Sequence, residues 1–121
     1  MQIPCEKVGD VAVAAVPVEE LDAGNAGEFK RDMAPLLEAN TQMVLDMGRL
    51  CFVDSSGLGA FISCLRKLNA KGGELKLAGM SAQVRAVFEL VRMHRVFDIL
   101  GTKEEAVRAF ESLSTSRPNR I

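Results

Sequence analysis

Leu45-Asp46-Met47-Gly48-Arg49-Leu50-Cys51-Phe52-Val53-Asp54-Ser55-Ser56-Gly57-Leu58-Gly59 is the stretch whose pattern changes period in a way that selects a fold class. Met43-Val44-Leu45-Asp46-Met47 is a short apolar run suited to a buried strand, since a sheet covered on both faces admits consecutive hydrophobics. Phe52-Val53 then leads into Asp54-Ser55-Ser56-Gly57, a turn and helix start. Leu58, Phe61, Ile62, Leu65 and Leu68 recur at helical spacing until Lys71-Gly72-Gly73 stops the run. A strand followed by a helix is the crossover that neighbouring parallel strands require.

The flanks extend the pattern. Upstream, Val8 to Val18 reads as two β segments around a Gly9-Asp10 turn. Ala26, Phe29, Met33, Leu36 and Leu37 then share one helical face, with Asn25 placed as the cap; Pro35 predicts a kink near Arg31 or a broken helix. Downstream, Leu75-Lys76-Leu77 alternates as a strand, and Ser81 can cap a helix carrying Val84, Val87, Phe88 and Val91. Val96 to Leu100 is a last short strand. Thr102 and Glu105 make a capping box for a final helix with Ala106, Val107, Phe110 and Leu113. The order predicts an α/β domain with a mixed sheet.

At 121 residues the chain is the size of one domain, and residues 114–121 read as a polar tail expected to fray. Lys and Arg number 15 against 16 Asp and Glu, with no Trp or Tyr, so neither a charge excess nor a stacking platform favours nucleic acid. The apolar run Val11 to Val16 is far too short to span a bilayer, and no basic, apolar leader opens the chain. A cytoplasmic protein without direct membrane insertion is expected. Cys5, Cys51 and Cys64 lack CxxC spacing, which predicts reduced, mostly buried thiols and neither a disulfide framework nor a metal site.

Asp54-Ser55-Ser56-Gly57 puts two hydroxyls at a helix N-terminus, where unpaired backbone N–H groups and the helix dipole favour an anion such as phosphate. Spacing alone favours the plainer reading, in which Ser55 or Ser56 caps the helix while Gly57 and Gly59 ease tight packing. Catalytic readings lack parts. The single histidine, His94, sits in the basic run Arg92-Met93-His94-Arg95, and there is no G-x-S-x-G elbow or G-x-x-x-x-G-K-[ST] loop, so no catalytic residue, enzyme activity or cofactor is expected.

Asp54-Ser55-Ser56-Gly57-Leu58-Gly59 resembles the corresponding segment of STAS domains and, within them, bacterial anti-sigma factor antagonists. The resemblance runs from about Met1 to Leu113 and takes in Glu20-Leu21-Asp22, Leu45-Asp46, Gly72-Gly73-Glu74-Leu75 and Thr102-Lys103-Glu104-Glu105-Ala106. It implies a single STAS domain over residues 1–113, a mixed central β-sheet with about four helices packed mainly on one face. By resemblance Ser55 is the phosphorylated residue and Ser56 its neighbour. The implied mechanism is partner switching: the unphosphorylated antagonist binds an anti-sigma factor that is also a serine kinase, and so releases the sigma factor. Phosphorylation breaks that complex, and a PP2C-type phosphatase resets it. ATP then belongs to the partner kinase. Two departures bear on partner identity: Glu19 stands where such proteins often have glycine, and Met93-His94 where a glycine often follows the third helix.

With Leu58, Ile62 and Leu65 turned to the core, the exposed side of the same helix is expected to present Ser56, Gly57, Ala60, Ser63 and Lys67. The expected partner-binding set is therefore Asp22, Asn25, Asp54, Ser55, Ser56, Gly57, Ala60 and Ser63. A non-switching STAS accessory subunit of a lipid-transport or other membrane-transporter complex is the alternative function, and a small nucleotide-binding module a weaker third.

Overall fold

The computed structural model of the protein describes residues 1–116. In chain order they form β1 (Cys5–Val8), β2 (Val11–Ala15), β3 (Glu20–Leu21), α1 (Ala26–Ala39), β4 (Gln42–Asp46), β5 (Phe52–Val53) and α2 (Ser55–Ala70). Then follow β6 (Glu74–Ala78), α3 (Ala82–Leu90), a 3-10 turn (Met93–Arg95), β7 (Asp98–Leu100) and α4 (Lys103–Ser116). One sheet has the order β1-β2-β4-β6-β7, antiparallel only at β1. Gly9 takes φ +62° in the β1–β2 turn, backbone that glycine enters without steric cost.

The period of two along each strand divides the core. Ala12, Ala14, Met43, Leu45, Leu75 and Leu77 belong to the cluster that α1, α2 and α3 cover. The residues between them, Val11, Val13, Val44 and Ala78, meet Ala106, Val107 and Phe110 of α4 on the other face. Three helices therefore cover one face and one the other, the mixed-sheet architecture expected. The larger core is threaded by four phenylalanines in edge-to-face or tilted contact, with ring centroids at 5.7 Å (Phe29–Phe61), 6.1 Å (Phe61–Phe88) and 6.0 Å (Phe88–Phe97).

Several local expectations need correction. Helix α1 runs unbroken through Pro35, because Pro35 and Arg31 are both on the exposed side, where a carbonyl without its helical donor meets water. Asn25 precedes α1 but does not cap it with its side chain. Val91 is 49 % exposed and not part of the α3 core face, since the helix has ended one residue earlier. Of the thiols only Cys64 is buried; Cys5 and Cys51 are exposed on short edge segments. Helix α4 continues to Ser116, into the segment expected to fray; the side chain of Leu113 and residues 117–121 lie outside what is described.

Candidate functional site

Strands β3 and β5 pair in parallel, Glu20 with Phe52 and Leu21 with Val53, as a two-stranded sheet apart from the main one. Leu21 and Val53 point inward, while Glu20 and Phe52 face solvent. The Glu19 carbonyl accepts from the N–H groups of Cys51 and Phe52 at 2.7 and 3.0 Å. This ladder brings the segment before α1 and the segment before α2 side by side. Nothing in a two-residue run has periodicity, so sequence reasoning missed the pairing.

Asp54 occupies the N-cap of α2 in extended backbone. Its Oδ1 accepts from the Gly57 N–H at 3.0 Å, and its Oδ2 from the Ala23 N–H at 3.2 Å. One carboxylate thus satisfies a donor the helix cannot satisfy itself and ties the helix to the preceding loop. The loop is closed by its own side chains. Asp22 Oδ1 accepts from the Gly24 N–H at 2.9 Å; Asn25 Oδ1 accepts from the Asp22 N–H and Asn25 Nδ2 donates to the Glu20 carbonyl, each at 2.9 Å. Asn25 therefore fixes the loop beside Ser55 instead of capping α1.

Since Asp54 is the cap, the reading in which Ser55 or Ser56 caps α2 falls away. Ser55 and Ser56 are the first two residues of the helix, both exposed, and the helix offers their N–H groups no acceptor. Gly57 and Ala60, expected on the contact face, are buried instead. A Cβ on Gly57 would lie 2.4 Å from the Leu21 carbonyl oxygen and 2.6 Å from Val53 Cγ2, so a bare backbone is what lets α2 start against the small sheet. Ala60 shares the core cluster of Ala26, Phe29 and Met33 from α1, and the small residue permits close helix approach. The outer face of α2 is Ser56, Gly59, half-buried Ser63, Arg66 and Lys67. Asp22, Asn25 and Asp54 are half-buried.

No group of His, Cys, Asp and Glu able to hold a metal ion occurs among the described residues, and no helix among them is long and apolar enough to cross a membrane. His94 is exposed within the 3-10 turn.

Residues 3–106 match the STAS domain model, and the chain belongs to the STAS domain family. It is similar to BtrV of Bordetella bronchiseptica, with 26% identity over 93% of this chain and 97% of that protein. It is 30% identical to the anti-sigma-B factor antagonist of Staphylococcus epidermidis, over 70% of this chain and 71% of the relative. Among solved structures, the anti-sigma factor antagonist SpoIIAA in its unphosphorylated form superposes with TM-score 0.75 at 26% identity, covering 92% of this chain and 97% of SpoIIAA. Phosphorylated SpoIIAA of Bacillus gives 0.67 at 26% identity, over 90% and 99%.

Proposed function

We propose that this chain is an anti-sigma factor antagonist that works by partner switching, with Ser55 as its phosphorylated residue. Unphosphorylated, it binds in the cytoplasm an anti-sigma factor that is also a serine kinase, which frees the sigma factor; phosphorylation ends the complex and a PP2C-type phosphatase restores it. The chain itself binds and does not catalyse. The names of its relatives and the existence of SpoIIAA in two phosphorylation states support the reading.

The observation that carries it is the division of labour between Asp54 and Ser55. Asp54 makes the structural hydrogen bonds, and Ser55 is exposed on a helix terminus with no hydrogen bond from its hydroxyl to the described residues. Phosphorylation adds about −1.5 to −2 charges there. The N-terminus of α2 tolerates that charge, so the fold persists, while a partner surface shaped for a neutral hydroxyl beside Asp22 and Asp54 does not. Each ~1.4 kcal/mol of repulsion and desolvation costs tenfold in affinity. Without the buried Gly57 and Ala60, the proposed contact surface is Asp22, Asn25, Asp54, Ser55, Ser56 and Ser63. A transporter subunit is the less favoured reading, because the relatives of 26–30% identity reported above are named anti-sigma factor antagonists.

The test is phosphopeptide mapping after incubation with ATP and the kinase that co-purifies with the chain from its own cells. Phosphate on Ser55, absent from Ser55→Ala, is expected; phosphate on Ser56 alone, or none, contradicts the assignment.

A further inference from the structure

Strand β3 has two edges and a strand on only one of them. The N–H groups of Cys51 and Phe52 donate to the Glu19 carbonyl, and that of Asp54 to the Leu21 carbonyl at 3.3 Å, so the edge toward β5 is filled. Backbone groups alternate from edge to edge along a strand, which turns the Glu20 carbonyl and the Asp22 N–H to the other side. There the carboxamide of Asn25 meets both, Oδ1 accepting from Asp22 and Nδ2 donating to Glu20, each at 2.9 Å. One amide, a donor and an acceptor side by side, does for this edge what a peptide group of a further strand would. An aspartate would set a charged oxygen against the Glu20 carbonyl, and an alanine would leave both backbone groups open.

The loop closed in this way supplies the second bond of the Asp54 carboxylate. Ala23 lies between Asp22 and Gly24, whose N–H groups are both held by side chains of the loop, and its own N–H donates to Asp54 Oδ2 at 3.2 Å. Asp54 Oδ1 takes the Gly57 N–H at 3.0 Å, and Ser55 is the next residue in the chain. A carboxylate held at both oxygens is fixed in orientation; held at one, it turns about that bond.

We infer, on the switch reading above, that Asn25 is a positioning residue for the Ser55 surface: it sets the Ala23 N–H, which fixes the carboxylate of Asp54 next to the serine. Within that surface Asn25 acts through Asp54 and is not a group the partner grips. A charge already in place beside the hydroxyl needs no ordering when the partner binds, whereas a loose one does.

A double-mutant cycle on affinity for the co-purifying kinase tests this, by calorimetric titration at a temperature where every variant is folded by its melting curve. Asp54→Ser serves as the second background, since serine retains the cap on Gly57 and gives up the Ala23 bond. Asn25→Ala is expected to weaken binding about tenfold in the wild-type chain and not measurably in the Asp54→Ser chain, because the path it acts through is already cut. Asn25→Asp is expected to match Asn25→Ala. A residue that only stabilises the fold lowers the melting temperature and leaves affinity alone. In hydrogen exchange of the free chain, Asn25→Ala is expected to speed exchange at the Ala23 amide several-fold. Equal losses from Asn25→Ala in both backgrounds overturn the inference, by making Asn25 a contact in its own right. Wild-type affinity of Asn25→Ala while Ser55→Asp binds weakly overturns it too and leaves the switch reading standing. Unchanged exchange at Ala23 overturns it without any partner. If Ser55→Asp binds as wild type does, or no kinase co-purifies, the switch reading fails and the inference with it.

Discussion

Asp54 and Ala23 are joined by a 3.2 Å hydrogen bond across 31 residues of sequence, from the Ala23 N–H to the carboxylate that also caps α2. Side-chain chemistry of Asp54 thus holds together the loop before α1 and the start of α2, where Ser55 is exposed.

Asp54→Ala removes a cap and an interloop bond together. A lost cap costs ~1 kcal/mol, and an orphaned N–H adds about as much, so a destabilisation of about 1–2 kcal/mol is expected. Urea unfolding measures it. An unchanged midpoint would mean that water replaces both bonds at no cost.

Gly57→Ala sets two effects against each other. Helix propensity favours alanine by ~1 kcal/mol, but its Cβ meets a backbone carbonyl at 2.4 Å, and overpacking costs about 1–3 kcal/mol. The clash is with backbone and wins: net destabilisation is expected in thermal melts. A stabilised Gly57→Ala would show that α2 does not press on β3 as described.

Ala60→Arg is a core substitution, although helical spacing suggested an interface probe. At 1 % exposure, an arginine there overfills the α1–α2 contact and buries a charge, and a loss of more than about 3 kcal/mol is expected. Ser63→Arg, on the outer face, is expected to stay within ~0.5 kcal/mol of wild type while weakening partner binding. Chemical denaturation of the two variants separates core from surface.

Much of this was legible in the sequence, and the failures have a common cause. The strand Gln42–Asp46, the Ser81 cap and the Thr102–Glu105 contact rest on strong local signals, and each is present, with the Val84 N–H donating to Ser81 Oγ at 3.1 Å and the Glu105 N–H to Thr102 Oγ1 at 3.0 Å. Gly57 and Ala60 were misplaced because a stripe of small residues reads alike whether it faces solvent or a close neighbour. Only the tertiary approach of α1 and β3 decides. Asn25 is at a cap position by sequence, but a better tertiary use of its amide, across to Asp22 and Glu20, won. Val91 was assigned to the core because helical periodicity carried the helix one residue past its end at Leu90.

The thiols divide by burial. Burial pushes the Cys64 thiol up to about 11, so it is protonated at neutral pH and inert, since the thiolate is the reactive form. Two fast equivalents with Ellman's reagent, from Cys5 and Cys51, and a third only on unfolding are expected. Three fast equivalents would contradict the packing of α2.

Lys76 is the buried cation of the α4 face, 3 % exposed. Its Nζ lies 2.9 Å from Asp98 and 3.0 Å from Glu74, with the Phe110 ring centroid 4.8 Å away. Burial by itself lowers its pKa, but the hydrogen bonds and charges of Asp98 and Glu74 outweigh burial and hold it above 10.5. A cation with a raised folded pKa gives stability that is fully present below the unfolded value and lost as pH rises through the folded one. Stability is therefore expected to fall above about pH 10.5, and Lys76→Met, which keeps the volume and leaves the carboxylates partly hydrated, to flatten that fall. Denaturation midpoints at pH 8 and pH 11 for both proteins check it; equal alkaline losses would remove Lys76 as the cause.

The central claim is that a charge at Ser55 ends partner binding without disturbing the fold, and calorimetric titration of the co-purifying kinase with unphosphorylated and Ser55-phosphorylated chain tests it most directly. With melting temperatures matched, the phosphorylated form is expected to bind about 100-fold more weakly, as ~2.8 kcal/mol of repulsion and desolvation requires. Equal affinities for the two forms would contradict it.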